Sequence, residues 1–263
     1  MGIEQRIGLS LFRRTALRNV VRLIPAIVIV ATMLNTFSCG SSGLLQPANS
    51  GSPTSTATAG TGALAFVTNF NDGKVSSFTR NTKTGVLKHT GQVTAGKKSG
   101  PRGVIATPNG NFLYVANIND DNIYEFSIDQ NNGTLTALTP AFVSNGNASG
   151  PDELAINPDG TLLWVTDAHD GTVTSYAIDV ATGQLTKNSS IGGFNTPFGI
   201  TLHPRLAVLY VSDTATGLIW PMTYDTTTGA LSKNFVPAHS SDAHADTPAA
   251  IAIDAAGAAL FIA

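Results

Sequence analysis

The chain repeats itself, and the length of the repeat restricts what it can fold into. Phe112-Leu113-Tyr114-Val115-Ala116-Asn117 recurs in near-copies at Leu64 to Asn69, Leu162 to Asp167 and Val208 to Asp213. The central residues Val67, Val115, Val165 and Val211 are 48, 50 and 46 residues apart, and Ile262 follows 51 later. A second marker, Gly85-Val86-Leu87, returns as Gly133-Thr134-Leu135, Gly183-Gln184-Leu185 and Gly229-Ala230-Leu231 with the same spacings of 48, 50 and 46. A third, the proline that enters an apolar run, stands at Pro101, Pro151, Pro197 and Pro248. Three markers in one phase, at a period of this size, belong to propellers, solenoids or arrays.

Within one period the sequence predicts four short strands: Gly103 to Thr107, Phe112 to Ala116, Ile123 to Ile128 and Leu135 to Phe142. The links between them, Pro108-Asn109-Gly110, Asn117 to Asn122 and Asp129 to Gly133, hold the residue types that turn a chain sharply. A four-stranded antiparallel meander is one propeller blade, and stacking such blades radially covers both faces of each sheet. The expected fold is therefore an all-β propeller over residues 62–263. The repeat region opens on a second strand, at Leu64, so the first blade is expected to lack its innermost strand. Ala263 falls inside another second strand, which predicts about four blades and a C-terminally incomplete ring with an unpaired edge prone to aggregation. Closure of four blades through Ala250 to Ile253 would leave Ala259 to Ala263 surplus.

Charge is distributed unevenly. The first 38 residues carry five arginines against Glu4 alone, which leaves the remainder with a formal charge of −6. A mildly acidic repeat region argues against nucleic acid as a partner. Behind the arginines, Leu23 to Leu34 is an apolar run too short for a comfortable membrane span and suited to a signal-peptide core. Residues 1–38 read as a signal peptide and the protein as exported. Thr36-Phe37-Ser38-Cys39-Gly40 resembles a lipobox, which implies acylation of Cys39 and a membrane anchor; Thr36 departs from that pattern. Arg13-Arg14-Thr15-Ala16-Leu17-Arg18 resembles a twin-arginine signal, although an arginine-rich signal segment accounts for the pair equally well. Residues 39–61 read as the lipidated cysteine and a flexible Ser, Gly, Thr and Pro tether. No cysteine follows position 39, so no disulfide framework supports the fold.

Tyr114-Val115-Ala116-Asn117, Trp164-Val165-Thr166-Asp167 and the run from Gly100 to Gly110 resemble the YVTN-repeat, lactonase-type propellers. The resemblance covers residues 63–263 and implies seven blades. It also implies hydrolysis of a sugar-type lactone, as in 6-phosphogluconolactonases, with no cofactor. In those enzymes a Gly-Pro-Arg-His run contributes to the site; here Gly100-Pro101-Arg102 is followed by Gly103, and the next copy reads Gly150-Pro151-Asp152-Glu153.

The links between strands two and three share a face with those joining one blade to the next. That face would gather Asn117, Asp120, Asp167, His169 and Asp213 with Arg102, Asp152 and Glu153. A channel mouth there is the expected site for a small-molecule or protein ligand. Lactone hydrolysis needs a base and an oxyanion donor, which makes Arg102, Glu153, His169 and His244 the catalytic candidates. Asn117, Asp120, Asp152, Asp167 and Asp213 are the ligand-binding candidates. The Asn or Asp that closes each second strand also reads as a cap on its own turn. His239, Asp242, His244 and Asp246 have metal-ligand chemistry but sit in a Ser- and Ala-rich loop, and no metal is expected there. A non-catalytic binding propeller of the cell envelope is the alternative function.

Overall fold

The computed structural model describes residues 63–96, 100–239 and 247–263. Among them the chain is built of strands, with one 3-10 turn at Phe70–Asp72. The first sheet has three strands, β1 (Ala63–Asn69), β2 (Lys74–Arg80) and β3 (Leu87–Thr94). The second contains β4 (Pro101–Ala106), β5 (Phe112–Asn117), β6 (Asn122–Ile128) and β7 (Leu135–Ser144). The third contains β8 (Pro151–Ile156), β9 (Leu162–Asp167), β10 (Thr172–Ile178) and β11 (Leu185–Ile191). In the fourth, β12 (Pro197–Leu202), β13 (Val208–Asp213) and β14 (Leu218–Tyr224) are followed by an outer strand split into β15 (Leu231–Ser232) and β16 (Ala238–His239). A pair, β17 (Ile251–Ile253) and β18 (Leu260–Ile262), forms a fifth sheet.

All neighbours are antiparallel meanders, as expected of propeller blades. The phased prolines are the first residues of β4, β8 and β12, where a missing N–H does least harm to the ladder. Among the described residues the first sheet has three strands and opens on β1. Ile251–Ile253 pairs with β18 and not with β1, so Leu260–Ile262 is no surplus strand but the second strand of a further sheet.

The second marker is a hairpin turn. Asn81, Asp129, Asp179 and Asp225 each accept backbone N–H groups within the following three residues through Oδ1. The peptide then reverses through Gly85, Gly133, Gly183 and Gly229 at φ of 75°, 77°, 78° and 71°. Only glycine takes this left-handed conformation without cost. The N–H bonds hold the exposed Asp179 and Asp225 carboxyls below the usual carboxylate range.

Apolar packing lies between sheets. One cluster joins Val75 and Ala95 to Leu113, Val115 and Phe126. A second joins Phe112, Tyr114 and Ala116 to Leu154, Val165 and Tyr176, and a third joins Leu162 and Trp164 to Ile200, Val211 and Met222. Side chains alternate across a strand, so the template residues of β5 point alternately to the sheet before and the sheet after. Being covered on both sides, the strand reads as a continuous apolar run. Val115, Val165 and Val211 are 0% exposed, whereas Val67, at the same template position in the first sheet, is 47% exposed.

The first two sequence markers touch each other. The aromatic residue of a second strand donates to the turn glycine of the next sheet: Tyr114 Oη to the Gly183 carbonyl and Trp164 Nε1 to the Gly229 carbonyl, both at 2.8 Å. Tyr114→Phe leaves that buried carbonyl without its donor and is expected to cost about 1–3 kcal/mol. Urea denaturation checks it; an unchanged midpoint would remove this bond from the account of stability.

Candidate functional site

The strand-one entrances bring the candidate residues of neighbouring sheets together. Arg102 is the second residue of β4 and Asp152 the second of β8. Arg102 Nη1 donates to Asp152 Oδ2 at 2.6 Å. The guanidinium carbon lies 5.5 Å from the ring centroids of both Phe70 and Phe198, so two aromatic faces flank the cation. Asp152 is 0% exposed. Among the described residues its Oδ1 has no hydrogen-bond partner. Burial pushes its carboxyl up to about 7, against the pull of Arg102 and with a further push from Glu153.

Glu153 is half-buried and anchored through its backbone N–H, which donates to Thr166 Oγ1 at 3.0 Å. Gly103 stands against it. A Cβ at residue 103 would lie 3.3 Å from Glu153 Oε2 and 2.5 Å from the Asp152 carbonyl oxygen. The sheets approach so closely here that this backbone has no room for the histidine of a Gly-Pro-Arg-His run. Gly199 is confined in the same way, 2.3 Å from the Ala249 carbonyl by the same construction. The approach is stitched by hydroxyls at the penultimate template position. Thr68, Thr166 and Ser212 donate across to the carbonyls of Arg102, Phe198 and Ala249 at 2.7, 2.6 and 2.7 Å. Ala116 occupies this position in β5 and has no donor to offer Asp152.

The Asn or Asp closing a second strand bonds in more than one way: Asn117 and Asp213 bond the connection arriving from the previous sheet, a correction to the expectation of a turn cap, whereas Asp167 bonds both that connection and its own β10, and Asn69 bonds within its own hairpin. Asn117 Nδ2 donates to the Ala95 carbonyl. Asp167 Oδ1 accepts from Asn145 Nδ2, and its Oδ2 accepts from Thr172 and Thr174 at 3.0 and 2.6 Å. Asp213 accepts the N–H groups of Asn195 and Thr196 at 2.8 and 3.0 Å. Parity explains the change: Leu113, Val115 and Asn117 all point to the preceding sheet. Burial raises the Asp167 carboxyl to about 7 despite its three donors.

Two lysines at one repeat position brace the same connections. Lys187 Nζ donates to the Asn145 carbonyl at 3.1 Å, and Lys233 Nζ to those of Gly192 and Gly193 at 2.9 and 3.0 Å. Lys233 also lies over Phe194 and Trp220, 3.5 and 4.3 Å from their centroids. Asp121 accepts the Ala148 and Gly150 N–H groups, so the connection leading to Asp152 is held from three sides.

His169 is exposed, its ring set against Gly150 in that connection. Asp120 sits in the β5–β6 turn, 3.5 Å from Asn117 Nδ2. His239 ends β16, exposed. His244, Asp242, Asp246 and Cys39 lie outside the described residues, as do the leader and tether. Among the described residues no three His, Cys, Asp or Glu side chains group to hold a metal. Phe70 and Phe198 escaped the sequence reading, because an aromatic residue in a loop or an apolar strand carries no mark of the cation beside it. The phased proline before Phe198 was the available signal, since it aligns that residue with Arg102 and Asp152.

No curated protein matches the chain in sequence. Among solved structures, a proposed 6-phosphogluconolactonase of Bacteroides fragilis superposes with a TM-score of 0.66 at 23% identity, covering 78% of this chain and 61% of that one. A second, from Bacteroides uniformis, gives 0.61 at 20% identity over 66% and 51% of the two chains. A Lactobacillus plantarum protein gives 0.55 at 23% identity over 64% and 49%. The chain thus spans half to three-fifths of the length of these relatives, and the likeness is one of fold. The family model for the seven-bladed lactonase β-propeller matches residues 61–200, more than half of the chain, and the chain belongs to that family.

Proposed function

We propose that the chain is an exported lactonase-family propeller that hydrolyses a sugar-type lactone beside Arg102. The observation that supports this most is the Arg102 guanidinium fixed on the buried Asp152 carboxyl with Glu153 alongside. In this reading Glu153 takes a proton from water as its oxygen attacks the lactone carbonyl carbon, and Arg102 receives the developing oxyanion. The ring C–O bond then breaks and the ring oxygen leaves with the proton, giving the open hydroxy acid. Asp152 positions Arg102, and Phe70 and Phe198 wall the guanidinium. His169 and His244 stay secondary candidates for the base. The test is acid release from glucono-1,5-lactone in a pH-stat: a rate above the spontaneous one supports the reading, and none above it rejects hydrolysis of this lactone class.

The second reading is a non-catalytic propeller binding a small molecule or protein at the same face. Gly103, standing where a Gly-Pro-Arg-His run has its histidine, favours it. Export and acylation at Cys39 belong to the proposal through the leader sequence. Labelled palmitate is expected to enter the full chain in a bacterial host and to be absent from Cys39→Ser; equal labelling of both would reject the anchor.

A further inference from the structure

Glu125 stands at the centre of β6 and is 1% exposed. The other third strands have Ser77, Ser175 and Pro221 at this position, so the repeat itself does not require a carboxyl there. Its Oε1 accepts the N–H of Leu185, at the start of β11, at 3.3 Å. Its Oε2 has no hydrogen-bond partner among the described residues. An ionised carboxylate buried without a counter-ion is among the least stable arrangements in a protein interior.

Among the described residues the groups around it offer no such counter-ion. Tyr114, opposite Glu125 on β5, directs its hydroxyl to the Gly183 carbonyl. Tyr176 of β10 donates to Asn145 Oδ1, and Asn145 in turn bonds Asp167 at the end of β9. Asp179, in the β10–β11 hairpin, is exposed and negative. Lys187 of β11 is the nearby cation in sequence, and its ammonium bonds the Asn145 carbonyl. β7 carries no titratable side chain.

We propose that Glu125 is a proton-operated fastener between the second and third sheets: neutral, it seats in the joint, and on ionisation it loosens the packing of Tyr114, Tyr176 and Leu185. The direction of the effect follows from burial, which raises the carboxyl from 4.5 to about 7 in the fold, offset in part by the Leu185 N–H. The folded state keeps a proton that the unfolded chain has released over that window. Its stabilisation is complete below 4.5 and disappears as pH rises through about 7. Asp152 and Asp167 shift the same way, so the parent must be compared with Glu125→Gln, which keeps the shape and removes this proton.

Thermal unfolding of the whole chain at pH 5 and pH 8.5 tests the proposal. The parent is expected to lose about 5 °C more than Glu125→Gln over this interval. Parallel losses in the two proteins would overturn it. Should the variant fail to fold, carbon NMR of the parent's Glu125 carboxyl decides: a midpoint near 7 supports the fastener, and one near the ordinary 4.5 overturns it.

Discussion

Gly183→Ala is expected to lower stability by about 3 kcal/mol, and Gly85→Ala, the same change at the same repeat position, by only about 1 kcal/mol. Both glycines are left-handed, at φ of 78° and 75°, so both alanines meet the conformational penalty of about 1–2 kcal/mol. They differ in their neighbours. A Cβ at Gly183 would lie 2.3 Å from the Phe112 ring of the preceding sheet, whereas a Cβ at Gly85 would have nothing within 4 Å. Forcing a methyl group into a packed contact adds about 1–3 kcal/mol. The two variants therefore separate the turn from the inter-sheet contact. For a chain of this size the difference of about 2 kcal/mol corresponds to about 4–8 °C in melting temperature. Equal melting temperatures would show that Phe112 yields freely and that the sheets are not in close register at this point.

That contrast explains why the fold was so legible. The glycine marker and the strand-two marker share a phase because they are the two halves of one inter-sheet contact, Phe112 and Tyr114 against Gly183, and Leu162 and Trp164 against Gly229. A repeat read along the sequence is in this sense already a tertiary contact. The polar residues were less legible for the same geometric reason. Asn117 looks like the start of a turn, but its position, two and four residues after Val115 and Leu113, directs it toward the preceding sheet and the Ala95 carbonyl. Glu125 carries no sequence mark of its burial, because in a radial stack both faces of β6 are inside. Alternation can assign a residue to a face; it cannot tell whether that face meets water or another sheet.

At the candidate site, sequence placed Arg102, Asp152 and Glu153 at phased positions but gave Asp152 a ligand-binding role. The 2.6 Å contact with Arg102 gives Asp152, in the proposed reading, the work of positioning the guanidinium, and this decides how the site must be probed. Arg102→Ala strips the partner from a buried carboxyl and is expected to destabilise the fold by about 3–5 kcal/mol, so lost activity in that variant would say little about chemistry. Arg102→Lys keeps a cation beside Asp152 while removing the planar fork that can bond Asp152 and an oxyanion together. If Arg102 stabilises the oxyanion, kcat for lactone hydrolysis is expected to fall about 100- to 1000-fold in this variant, with the melting temperature nearly preserved. Glu153→Gln, which keeps shape and removes the base, is expected to lose about 100-fold or more. Measured together, a fall in both at intact stability assigns donor and base to these two residues. Parent-like rates in both would take the reaction away from this face of the propeller and leave binding as its role.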